Sequence, residues 1–198
     1  MSKTVEFFFD FGSPAAYLAY SQLPRIAEQS GAELVWRPFL LGGVFQATGN
    51  RSPVEVPAKG AYMLADLARF AERYGVTYRH NPHFPINTLM LMRGAVALQM
   101  HQPDRFGPYV DAVFKAIWVD GRDMNDPSVV GAVLHEAGLD AGKVVALCGQ
   151  QDVKDRLKAV TQEAVERGVF GAPTMFVAGR MYWGQDRLDF VREALSSN

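Results

Sequence analysis

The chain predicts an α/β fold with an all-helical insertion, and three features carry that prediction. An apolar run opens the sequence and meets a Ser-Pro helix start, so strand, helix and second strand follow in βαβ order. From about residue 41 to residue 147 only helical periodicity is visible, punctuated by Pro, Gly and Asp. The last third returns to mixed structure: a helix, two short strands around a glycine-containing connection, and a closing helix.

Each element has a local reason. Residues 5–10 form an apolar run interrupted by Glu6 and ending at Asp10, too short for a helix, which reads as a buried strand. Ser13 then caps a helix and Pro14 takes its first position, where the missing N–H costs nothing. That helix carries Leu18, Leu23, Ile26 and Ala27 inward as far as Gly31. Residues 33–40 read as the second strand, with Leu34 and Trp36 alternating against Glu33, Val35 and Arg37.

Within the insertion, residues 61–74 place Met63, Leu64, Leu67, Phe70 and Ala71 at helical spacing and stop at Gly75, ahead of a Pro-marked loop over 78–85. Residues 88–101, 106–118 and 127–137 read as further helices, the last opened by Asp126-Pro127 and closed by Gly138. A helix over 152–167 follows, closed by Gly168. Residues 174–177 and 181–183 then flank Ala178-Gly179-Arg180 as a hairpin. Asp186 starts the final helix, with Leu188, Val191 and Leu195 facing inward.

Composition excludes several classes of function. At 198 residues, 48% of them hydrophobic, the chain can bury a substantial core. Its 20 basic and 21 acidic residues form no electrostatic footprint for a polyanion, so no nucleic-acid partner is expected. No stretch approaches the roughly 18 apolar residues of a membrane span, and one cysteine, Cys148, cannot form an internal disulfide. These features describe a soluble cytoplasmic protein with no membrane partner, and Cys148 is read as a small buried hydrophobe near a helix end.

His80 and His83 bracket Pro82, but no His, Cys or acidic cluster has metal-ligand spacing, so no metal is expected. Gly-rich phosphate loops and a Gly-x-Ser-x-Gly elbow are absent. Ser13 has no His-Asp partners legible in sequence, which excludes an acyl-transfer hydrolase.

Four motifs stand in order along nearly the whole chain: Phe9-Asp10-Phe11-Gly12-Ser13-Pro14; Gly49-Asn50 followed by Pro57-Ala58-Lys59-Gly60-Ala61-Tyr62-Met63; Val169-Phe170-Gly171-Ala172-Pro173-Thr174; and Trp183-Gly184-Gln185-Asp186-Arg187. Taken singly they are helix caps, turns and a solvated lysine. Taken together, the chain resembles a thioredoxin fold of the DsbA-like type and, within it, the kappa-class glutathione transferases. Within that class it looks like the branch that isomerises 2-hydroxychromene-2-carboxylate.

The resemblance implies a discontinuous thioredoxin-like domain over 1–41 and 148–198, with a helical insertion over 42–147. Where the redox members carry Cys-x-x-Cys, this chain reads Ser13, Pro14, Ala15, Ala16, so it implies loss of redox chemistry and retention of a thiolate site supplied by glutathione. Ser13 is then the catalytic residue, donating a hydrogen bond to the glutathione sulfur. Asn50 holds the tripeptide from the insertion side, and the backbone of Ala172, before a cis Pro173, pairs with its cysteinyl part. Gln185 and Asp186 bind the γ-glutamyl end, and Lys59 a carboxylate. A homodimer is implied in the same way.

The reaction so implied interconverts 2-hydroxychromene-2-carboxylate and trans-o-hydroxybenzylidenepyruvate in aromatic catabolism, by reversible addition of the thiolate. Two other activities are compatible with the same groove: a kappa-class transferase that conjugates an electrophile and consumes glutathione, and a DsbA-like peptide-binding module without redox activity.

Overall fold

The computed structural model describes residues 3–196. A four-stranded sheet of order β2-β1-β3-β4 forms its centre. Strand β1 (Lys3–Phe9) pairs in parallel with β2 (Ala32–Pro38) and antiparallel with β3 (Thr174–Val177), which pairs antiparallel with edge strand β4 (Arg180–Trp183). The parallel pair follows from a helical crossover and the antiparallel pair from a tight hairpin. Ala178 and Gly179 alone make that turn, both at positive φ (48° and 77°), and Arg180 belongs to the strand rather than to the connection.

Alternation along β1 explains its three consecutive phenylalanines. Phe7 and Phe9 stack with ring centroids 5.3 Å apart on the face covered by the insertion, where Phe11, Trp36 and Phe114 join them. Phe8 points to the other face and packs on Phe39 and Phe176 under α9 (Gln151–Glu166). A central strand with both faces covered has no solvent side to mark with polar residues. Glu6, the exception, lies beside the rim of the second face, where Arg167 bonds it at 2.6 Å and 2.9 Å and lies 3.9 Å from the Phe176 ring centroid.

The first crossover is two helices, not the single one read as far as Gly31: α1 (Pro14–Tyr20) and α2 (Leu23–Gln29). Pro24 is the cause. It has no N–H to donate and its ring would strike the carbonyl of Tyr20, so the chain breaks at Ser21-Gln22 and restarts.

Between β2 and α9 the described chain contains only helices and turns: α3 (Leu41–Thr48), a 3-10 turn at Pro53–Glu55, α4 (Pro57–Tyr74), α5 (Leu89–His101), α6 (Pro103–Trp118), α7 (Pro127–Glu136) and α8 (Ala141–Cys148). Helix α6 starts earlier than residue 106 because Pro103 sits in its first turn, where proline is preorganised. Helix α4 packs on α1, α3 packs on α9, and α5 meets α6, α8 and α9. The insertion thus presses directly on the elements that carry Ser13.

Helix α10 (Leu188–Ser196) closes the fold. Asp186 does not start it. Residues Gln185–Arg187 form a 3-10 turn entered through Gly184, whose φ of 105° and ψ of 149° suit only glycine. The Gly184 N–H donates to the Pro173 carbonyl at 3.0 Å, so tertiary pairing of this residue sets where the helix begins.

Candidate active site

Ser13 has the extended backbone of an N-cap, and its Oγ accepts from the Ala16 amide at 3.1 Å, as the Ser-Pro signal required. The same hydroxyl donates to the carbonyl of Ala172 at 2.8 Å. Ser13 is 5% exposed, and the Ala172–Pro173 peptide is cis, as the resemblance implied. Residues 159 positions apart in sequence therefore meet at one hydroxyl.

Three further segments converge on that loop. Asn50, just past the left-handed Gly49 that ends α3, donates its amide to the Phe170 carbonyl at 2.8 Å while its own Oδ1 accepts from the Arg51 amide. Gly184 ties the start of the 3-10 turn to Pro173, which brings Gln185 and Asp186 alongside. Tyr74, at the end of α4, donates its hydroxyl to the Gln185 carbonyl at 2.5 Å. Burial, with the Asp189 and Asp186 carboxylates adding to it, pushes the Tyr74 phenol up to about 12, so it stays a donor at neutral pH. Gly171 makes this packing possible, because a Cβ there would lie 2.5 Å from the Trp183 indole nitrogen.

The predicted residues thus fall into two groups. Ser13, Asn50, Ala172 and Pro173 are linked through the 170–173 loop by the bonds just described, and Gln185 and Asp186 follow Gly184, whose amide is held by Pro173. Lys59 stands apart on the first turn of α4, exposed and with no ion pair among the described residues. Asp186 is exposed and lies 3.4 Å from Arg187. Trp118 is fully buried and donates to the Phe11 carbonyl at 2.8 Å, so it is a packing residue, whereas Trp183 is 47% exposed beside Phe170. Cys148 is 2% exposed at the end of α8, and burial pushes its thiol up to about 11.

Sequence reasoning missed two contributors. Asp10 lies beneath the turn, 1% exposed, accepting from the Gly12 and Leu41 amides at 2.9 Å and 2.8 Å, with the Thr88 side chain beside it. Burial holds its carboxyl above the usual carboxylate range against those bonds. An aspartate inside an otherwise apolar run was the available signal. Tyr74 gave none, because an aromatic at the end of an amphipathic helix reads as core.

A cavity of about 260 Å³ lined by Tyr20, Ser21, Pro24, Trp36, Phe106 and Asp111 contains none of these residues. The candidate site is the surroundings of Ser13, where side chains from separate segments converge. Among the described residues no cluster of three or more His, Cys, Asp or Glu is placed to hold a metal ion. No described helix is long and apolar enough to cross a membrane.

A helical insertion between the second strand and the α9-hairpin-α10 unit, with a cis-proline loop facing a helix-capping residue, defines a class. The chain belongs to the DSBA-like thioredoxin domain family, whose pattern matches residues 4–196. Within that family it groups with the 2-hydroxychromene-2-carboxylate isomerases. The isomerase of Sphingobium xenophagum is 34% identical over 197 residues, covering 98% of this chain and 99% of its own length. Human glutathione S-transferase kappa 1 is 28% identical over 98% of this chain and 92% of its own. A solved structure of 2-hydroxychromene-2-carboxylate isomerase superposes with a TM-score of 0.86 at 30% identity, covering 98% of this chain and 95% of the other.

Proposed function

We propose that this chain is a glutathione-dependent isomerase interconverting 2-hydroxychromene-2-carboxylate and trans-o-hydroxybenzylidenepyruvate. The observation that carries the reading is the Ser13 hydroxyl set against the Ala172 carbonyl, with Asn50 and the 185–186 turn linked to the same loop. The donor set matches the chemistry of a tripeptide thiol: a hydroxyl for the sulfur, an amide and backbone groups for the peptide, a carboxylate for an ammonium and a lysine for a carboxylate. Full-length relatives of this name, and kappa-class transferases, support it.

Bound glutathione supplies a thiolate whose reversible addition to the conjugated substrate turns a fixed double bond into a rotatable single bond. Ser13 turns its hydroxyl from the Ala172 carbonyl to the sulfur and stabilises charge without removing a proton. Since a free thiol of pKa about 8.5 is only a few per cent ionised at neutral pH, lowering it by one or two units multiplies the reactive form. Asn50 and the backbone of Ala172 orient the peptide, Asp186 takes the ammonium, and Lys59 takes a carboxylate of the tripeptide or of the substrate. The same reading carries a homodimer in a reducing cytoplasm.

The test is the ultraviolet spectrum of 2-hydroxychromene-2-carboxylate with purified protein, with and without catalytic glutathione, and with Ser13→Ala. Conversion to the benzylidenepyruvate spectrum without thiol loss is expected, slower in the variant. Stoichiometric consumption of thiol would replace the isomerase reading with that of a kappa-class transferase. No conversion would reject both for this substrate.

A further inference from the structure

Asp10 has no part in the chemistry above, yet it is a carboxylate buried beneath Ser13 without a bonded cation among the described residues. A buried carboxylate without a counter-charge is costly and persists only when hydrogen-bond donors surround it. Its two amide donors come from separate segments. The Gly12 amide belongs to the Ser13 turn, and the Leu41 amide opens α3, whose far end carries Asn50. Thr88 stands at the N-cap position of α5 without a side-chain capping bond, and its side chain lies beside the Asp10 carboxyl. The Asp10 carbonyl accepts from the Ser13 amide at 3.1 Å as well, so main chain and side chain of one residue brace the turn.

We propose, resting on the glutathione-site reading, that Asp10 is a positioning residue: its carboxylate fixes the Ser13 hydroxyl and the α3 segment leading to Asn50 relative to each other, and so sets the donor geometry that the thiolate meets. Carboxylate is the chemistry this needs, since both oxygens accept from amides. An amide side chain would turn its NH₂ toward one backbone N–H, and that bond would break. The space is equally constrained, because a Cβ on Gly12 would lie 3.2 Å from the Thr88 methyl and 3.4 Å from the Asp10 carboxylate. The nearest groups bonded to Asp10 are uncharged, so its influence on the site passes through these hydrogen bonds.

Asp10→Asn tests this through two readings on the folded protein: the dissociation constant of glutathione by calorimetry, and the pKa of the bound thiol from its thiolate absorbance. Loss of one buried hydrogen bond predicts roughly tenfold weaker binding and a thiol pKa displaced upward, toward the free value. The direction discriminates, since removing a nearby negative charge acts in the opposite sense and lowers a thiol pKa. A lower melting temperature with both readings unchanged, or a lowered thiol pKa, would overturn the proposal. If Asp10→Asn does not fold, Thr88→Val decides: the same displacements at smaller size are expected, and unchanged values count against it. Wild-type protein that binds no glutathione would overturn the site reading itself, and this inference with it.

Discussion

The Ser13 hydroxyl donates to the carbonyl of Ala172 at 2.8 Å while accepting from the Ala16 amide at 3.1 Å, so both its functions as donor and as acceptor are already engaged. The thiol of the proposed glutathione would compete only for the donor half, because the capping bond uses the oxygen lone pair.

Ser13→Ala therefore removes a helix cap and, on the proposed reading, a sulfur donor together. The cap predicts a stability loss of about 1 kcal/mol, and the donor predicts a turnover loss of about 10- to 100-fold, short of the larger losses seen at oxyanion donors. Thermal melting and steady-state kinetics with saturating glutathione separate the two. A variant that melts lower but turns over normally would remove Ser13 from the chemistry.

Asn50→Ala separates binding from folding in the other direction. The side chain is exposed and its bond to the Phe170 carbonyl lies on the surface, so the melting temperature should move by less than the equivalent of about 0.5 kcal/mol. The dissociation constant of glutathione should rise severalfold, as read by calorimetry. Equal affinity in the variant would remove Asn50 from the site.

Acid sensitivity is expected from Glu6. The Arg167 guanidinium bonded to it holds its carboxyl below the usual range, with Arg37 assisting. A depressed folded-state value contributes stability above the unfolded value of 4.5, and that contribution is lost as the pH falls through the folded value. Glu6→Gln should cost about 1 kcal/mol at pH 7 and converge with the wild type in the acid range. Melting curves from pH 7 down to pH 3 check this, and a constant difference across that range would contradict it.

Ala178 offers a stabilising change. It holds a φ of 48° in the two-residue turn between β3 and β4, a conformation that Asn tolerates better than Ala. Ala178→Asn should raise stability by about 0.5 kcal/mol with activity unchanged, measured by chemical denaturation. A destabilised variant would contradict the assignment of the turn.

Much of the fold was legible because it rests on local chemistry. Ser13-Pro14 at the helix start, Asp126-Pro127 opening α7 and Gly75 closing α4 each act within one helical turn, and each stands where the local signal placed it. Pro24 carried a local signal too, but amphipathic spacing continued across it and hid the break between α1 and α2. The start of α10 was not local at all. Asp186 has the chemistry of a cap, but the Gly184 amide is held by Pro173, and a 3-10 turn intervenes.

Sequence by itself determined the order of the strands and of the longer helices, the buried character of β1 and the capping of α1 by Ser13, because periodicity and capping are properties of neighbouring residues. Only the tertiary structure decided which carbonyl receives the Ser13 hydroxyl, that Asn50 reaches Phe170, and that the Asp10 carboxylate joins the Gly12 amide to the Leu41 amide. Those pairings span long stretches of chain, and no local preference encodes them. They form only when burial brings the segments together and each buried polar group must find a partner there.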